Sequence, residues 1–141
     1  MARRIVTVVG TLGLLLGLAD SVRADAESIE QATTAALAWL GLLDDQEFDE
    51  SWRMAGELLK VAVAQEEWTA KLSVTLGPLG KKTSRGVRSS EYSTTMPGAP
   101  DGEYVLLQFD TSFENKQSAV ETVVMMKESD GLWRTSGYYI R

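Results

Sequence analysis

Glu121 is the residue whose type and setting most invite chemistry. It stands in the row Ala119, Glu121, Val123, Met125, which is otherwise apolar, within a segment rich in Val, Thr and Met from Ser118 to Lys127. A carboxyl group held among apolar side chains keeps its proton more tightly than one in water, and a general acid or base needs that property. The chain ends on Tyr138-Tyr139-Ile140, beyond a Ser129-Asp130-Gly131 turn. A two-residue turn sets Glu121 opposite Ile140 and diagonal to Tyr138, and a four-residue loop sets it opposite Tyr138 itself. Either register brings carboxylate and phenol together. Arg85 follows a Pro78-Leu79-Gly80 stop and could turn inward toward the same carboxylate. With Trp39, these residues form the candidate ligand-binding set: Arg85, Glu121, Tyr138 and Trp39. The bland alternative is that Glu121 is a strand-end carboxylate paired with Lys116, Arg85 or another base to hold the fold, because structural ion pairs also perturb titration. Glu121→Gln separates the two readings. It abolishes binding or turnover if the residue serves a site, and changes only stability if it serves the fold.

The sequence excludes much else. It contains no histidine and no cysteine. Ser-His-Asp and Cys-His nucleophile systems therefore fall away, as do His and Cys zinc sites. No cofactor and no metal are expected. Asp44, Asp45, Glu47, Asp49 and Glu50 invite a calcium reading. They lack the central Gly and the ligand spacing of a calcium loop, and they read better as a solvated corner with Asp49 as a helix cap. Lys81, Lys82, Arg85 and Arg88 form the one basic cluster, read as a charged strand edge that discourages aggregation or as a seat for an acidic partner. Asp110, beside Gln108 and Ser112 on the polar row of its strand, is expected to face solvent. Trp39, Trp52, Trp68 and Trp133 all sit in apolar patterns, so core packing is expected ahead of a ligand platform.

The elements that must position these residues follow from periodicity. A first helix is predicted from Ser28, as N-cap with Gln31 three residues on, to Leu43, with Ile29, Ala32, Ala36, Leu40 and Leu43 on one face. A second starts near Asp49 and is bent at Gly56. A third runs from Gln65 to Leu76 and stops at Gly77-Pro78-Leu79-Gly80. Strands are then predicted over 86–95, 103–113, 118–127 and 132–140, with a turn through Met96–Gly102. Three helices followed by four antiparallel strands make one α+β domain with the helices on one face of the sheet.

The chain opens with Met1-Ala2-Arg3-Arg4 and an apolar run from Ile5 to Leu18. Charge, short apolar run and small-residue exit are the parts of a cleavable export signal, and the run is short for a membrane span. Cleavage after Ala24 or after Ala26 suits the peptidase. Residues 1–24 are thus read as signal peptide and 25–141 as the mature domain. Removing 24 of the 141 residues leaves 117 and takes away Arg3, Arg4 and Arg23 against Asp20, so the formal charge falls from −6 to −8. A domain this acidic repels phosphate backbones, so no nucleic acid is expected as partner. A periplasmic or secreted protein is expected, with no stable membrane anchor after cleavage.

Several segments form an ordered series: Ala38-Trp39-Leu40 with Leu43-Asp44, Ser51-Trp52, Pro78-Leu79-Gly80 with Ser84-Arg85, and Pro97-Gly98-Ala99-Pro100-Asp101-Gly102-Glu103-Tyr104. Gln108-Phe109, Phe113-Glu114-Asn115-Lys116, Glu121, Gly131-Leu132-Trp133 and Gly137-Tyr138-Tyr139 continue it. In order and spacing these segments resemble a bacterial exported family known as domain of unknown function 4019. The resemblance implies no activity. Its order of elements is similar to the nuclear transport factor 2-like fold, or to a cystatin-like one, a curved cone-like sheet around a helix. Three functional readings stand. The first is a non-catalytic exported domain that binds a partner protein or small ligand. The second is a pocket enzyme using Glu121 for acid/base chemistry, which an inner cavity filled by Trp39 or Trp133 would sink. The third is a structural or oligomerising module, such as a homodimer.

Overall fold

The computed structural model describes residues 12–141, with side chains from Gly17 onward. Arg3-Arg4 and the first half of the apolar run of the predicted signal, residues 5–11, lie outside the described residues. Helix α1 spans Leu12–Asp44. It therefore runs through Ser28, which is a mid-helix residue rather than the predicted cap. From 17 to 27 its side chains are exposed, and its packed part begins at Ser28 and Ile29. From there the predicted stripe meets the core: Ala32, Ala36, Leu40 and Leu43 are buried, joined by Trp39, while Leu37 stays exposed. No helix among the described residues is long and apolar enough to cross a membrane.

The predicted second helix is two. Helix α2 covers Phe48–Arg53 and α3 covers Glu57–Ala62. Gly56 separates them as the cap of α3, with its N–H donating to the Thr135 carbonyl at 2.9 Å. A regular helix could not spare that N–H, so the break is set by a tertiary hydrogen bond. Asp49 lies inside the first turn of α2 rather than capping it; its carboxylate accepts from the Thr69 hydroxyl at 2.7 Å. Helix α4 spans Gln65–Leu76 as predicted and buries Trp68, Leu72 and Leu76.

A 3-10 turn over Gly77–Leu79 leads to strand β1, Lys82–Ser93. Strands β2 (Tyr104–Phe113), β3 (Lys116–Lys127) and β4 (Trp133–Ile140) follow. They form an antiparallel meander in the order β1-β2-β3-β4, with the helices on one face. The domain is α+β, as the element order predicts. Val105, Leu107, Phe109, Thr111 and Phe113 on β2, with Ala119, Glu121, Val123 and Met125 on β3, make the buried inner face.

Two of the segments behind the family resemblance turn out to touch. The Pro78 carbonyl accepts from Asn115 Nδ2 at 3.0 Å, and the Leu79 carbonyl from the Asn115 N–H at 2.8 Å. The stop after α4 is thus latched to the β2–β3 turn. Gly80 carries the latch with φ of 75° and no room for a Cβ, which would lie 2.8 Å from a Glu114 carboxylate oxygen. In the long turn before β2, the buried Tyr104 donates its hydroxyl to the Pro100 carbonyl at 2.5 Å. That bond folds the Pro97–Gly102 segment back onto its own strand.

Candidate functional site

The four predicted site residues converge. Glu121 is 1% exposed on the inner face of β3. Its Oε1 accepts from Arg85 Nε at 2.8 Å and from the Thr111 hydroxyl at 2.6 Å; its Oε2 accepts from the Tyr138 hydroxyl at 2.5 Å. The other two guanidinium nitrogens of Arg85 grip Asp44 at the end of α1, at 2.8 and 2.9 Å. Lys82 stands 3.4 Å from the same carboxylate. The Tyr138 ring packs on Trp39 with centroids 5.7 Å apart, and Trp39 on Trp68 at 6.2 Å. Both indoles are anchored through Ser51: Trp39 Nε1 donates to its carbonyl and Trp68 Nε1 to its hydroxyl, each at 2.9 Å.

The electrostatics follow from this closure. Burial works against the Arg85 charge, but the hydrogen bonds it donates to Asp44 and Glu121, with their negative charges, outweigh it and hold its pKa above the ordinary value. Burial, reinforced by the neighbouring Glu121 charge and hydrogen bond, pushes the Tyr138 phenol well above its ordinary value. The cluster is a protonated phenol and a guanidinium closed around carboxylates. Each guanidinium nitrogen and each Glu121 oxygen has a partner within the protein. Among the described residues no buried side-chain polar atom lacks one. Trp39 and Tyr138 fill the space between α1 and the sheet. What remains beside Glu121 is a void of about 30 Å³, room for one or two waters.

Asp44, which the sequence places in a solvated acidic corner, and Thr111, which it does not single out, belong to this cluster. Asp44 is the last residue of α1, directly after the buried Leu43. That position was the available signal, and the acidic run behind it masked it. Asp110 faces outward as expected, paired with Arg88 at 3.0 Å. Lys116 is not the partner of Glu121; Arg85 is.

An open, largely apolar concavity lies elsewhere. A groove of about 890 Å³ runs between α1, the end of α2 and the β3–β4 hairpin. The α1 wall presents Glu27, Glu30, Gln31, Thr34, Ala35, Ala38 and Leu42, residues that share one helix face. Met54 and Leu132, each 57% exposed, form the opposite lip, and Trp39 and Trp133 line the floor. Of the predicted set, only Trp39 borders it.

Residues 35–138 match the family described as protein of unknown function (DUF4019). The chain belongs to that family. The DUF4019 match spans α1 from Ala35, all later helices and the sheet as far as Tyr138, so it takes in the whole Asp44–Arg85–Glu121–Tyr138 cluster. No curated protein and no solved structure matches the chain.

Proposed function

We propose that this DUF4019 protein is an exported bacterial domain that binds a ligand or partner without catalysis, and that its binding face is the groove rather than the buried cluster. The observation that carries this reading is the seal over Glu121. Trp39 and Tyr138 occupy the space a substrate would need, and the cluster's charges are spent on one another. Binding sites are typically concave, largely apolar and about 300–1,000 Å³; the groove, at about 890 Å³ with two indoles in its floor, fits that description. On the order of elements we read the architecture as nuclear transport factor 2-like. Export rests on the charged, then apolar, then small-residue start of the chain. The exposed side chains of residues 17–27 support it, because a cut after Ala24 or Ala26 spares the packed part of α1.

The test uses a neutral solvatochromic dye, Nile red, with protein purified from its own host. Wild type and Tyr138→Phe are expected to bind the dye with blue-shifted emission. Met54→Asp and Leu132→Asp are expected to lose it while keeping their near-ultraviolet circular dichroism. Dye binding that follows Tyr138→Phe and ignores the groove variants would return the site to the cluster. Intact mass should show a chain beginning at Asp25 or Glu27; a protein that still carries Met1 refutes the export reading.

A further inference from the structure

The groove is long and unevenly charged, and both features constrain what fits it. From Glu27 to Leu42 its α1 wall covers about 22 Å at the helical rise of about 1.5 Å per residue. That exceeds most single small molecules and matches about 15 residues of a helical segment. The middle of the wall carries the small side chains Thr34, Ala35 and Ala38, over which a second helix can approach closely. Met54 and Leu132 stand exposed across from them. This is the layout of a helix laid by its apolar face into a groove.

Acids outnumber bases in the groove lining, Glu27, Glu30 and Glu50 against Arg134. Arg134 is the single base in its lining, and Glu128 at 2.7 Å and Asp130 at 2.8 Å already hold that guanidinium. At the other end Glu27 and Glu30 are exposed one helical turn apart, with no base in ion-pair range among the described residues. Glu50 adds a third carboxylate, shared with Arg53. An occupant with an anionic or neutral end would lose the hydration of these acids without recompense. A cationic end would be drawn to them.

Resting on the reading that the groove is the binding face, we propose that its occupant is a cationic amphipathic peptide segment, apolar along one helical face and carrying Lys or Arg at the end that meets Glu27 and Glu30. The leucines of such a segment lie between the α1 wall and the Met54–Leu132 lip, over the indoles of Trp39 and Trp133. Its charged end stays at the rim, where ion pairs contribute more to selection than to strength.

The probe is a synthetic helical peptide of leucines and lysines, about 15 residues long to match the groove, titrated by fluorescence anisotropy against the full chain. A glutamate-for-lysine version serves as comparison. The lysine peptide is expected to bind, the glutamate peptide not. Glu27→Lys/Glu30→Lys should weaken the lysine peptide about tenfold at low salt, since two carboxylates become ammonium groups and each attraction turns into a repulsion. Leu132→Asp should abolish binding, and Asp110→Lys on the far sheet face should leave it unchanged. Equal binding of both peptides, or indifference to the double reversal, overturns the cationic occupant. Nile red then separates the failures. If Leu132→Asp still removes the dye, the groove stands and only the occupant's chemistry is wrong; if it does not, both readings fall. Light scattering that shows a dimer dissolved by Leu132→Asp would overturn the proposal in favour of a second copy.

Discussion

At the scale of single residues, the cluster around Glu121 is a closed device whose parts suit one protonation state. Tyr138 donates to Glu121 and packs half-buried against Trp39, so its proton is held in the folded chain far more firmly than in the unfolded one. A group whose folded pKa is raised contributes stability fully below its unfolded value, near pH 10 for tyrosine, and that contribution is lost as pH climbs toward the folded value. Tyr92 and Tyr104 are raised as well, chiefly by desolvation, and add the same sign. The Tyr138 share is isolated by Tyr138→Phe. At pH 7 the variant should be less stable by about 1.5–3 kcal/mol, one hydrogen bond to a charged group. Between pH 9 and about pH 11 wild type should lose about 1.4 kcal/mol more than the variant, as the unfolded phenol ionises and the folded one does not. Urea midpoints at the two pH values check this, and parallel losses would show that Tyr138 titrates freely. Much of the device was legible beforehand. A lone carboxylate in an apolar row demands a partner, and Arg85 and Tyr138 were the groups in reach. Asp44 was not legible, because nothing in a run of acids says which one sits over a buried guanidinium. Thr111 was equally silent, since threonine in a strand row is ordinary.

At the scale of elements, the β3–β4 hairpin shows how a correct pairing can come from a different turn. The loop is neither of the two lengths considered. Three residues, Ser129–Gly131, separate Glu128 from Leu132, whose backbones bond at 2.9 Å, with Gly131 in the left-handed region at φ 83°. Extended without interruption, that loop would pair Glu121 with Tyr139 and turn Tyr138 to the outer face. A bulge intervenes instead. Met125 pairs with Thr135 but Val124 with Gly137, so Ser136 is the extra residue and every side chain beyond it changes face. Glu121 then meets Ile140 and lies diagonal to Tyr138, while Tyr139 is 66% exposed. The period-2 pattern located the strands, but a single extra residue carries no pattern of its own. Deletion of Ser136 should therefore be tolerated, against the rule for strands. It turns the bulge into a regular ladder and leaves Tyr138 inside, at a cost of about 1–2 kcal/mol for the Ser136 hydroxyl bond to Val124 and the lost local twist. Deleting Thr122, in a part of β3 with no bulge, should unfold the domain, because it inverts one side of the inner face. Near-ultraviolet circular dichroism of the two deletions decides the matter; two unfolded proteins would mean the bulge itself is needed.

At the scale of the whole molecule, the question is where the domain begins. Periodicity placed the start of the first helix at Ser28, yet α1 extends back to Leu12. The two statements describe different things. A capping pattern reports where a helix can start, and residues 17–27 are helical with exposed side chains. Packing separates them. The core draws on α1 from Ile29 and Ala32 onward, whereas Leu18 and Val22 are 59% and 68% exposed. A chain shortened to begin at Asp25 should keep its urea midpoint within about 0.5 kcal/mol, the range of changes to surfaces that make no contacts. A chain shortened to begin at Thr34 should fall by several kcal/mol, because it loses the buried Ala32, the half-buried Ile29 and the 3.4 Å bond from the Trp133 indole to Gln31. It also loses Glu27 and Glu30, and with them the acidic end of the groove. If the first truncation is as costly as the second, the overhanging turns are part of the folding unit, and a signal cut at Ala24 would then release a protein weaker than its precursor. If only the second is costly, the folding unit starts where the groove starts, and a chain without residues 1–24 keeps both intact.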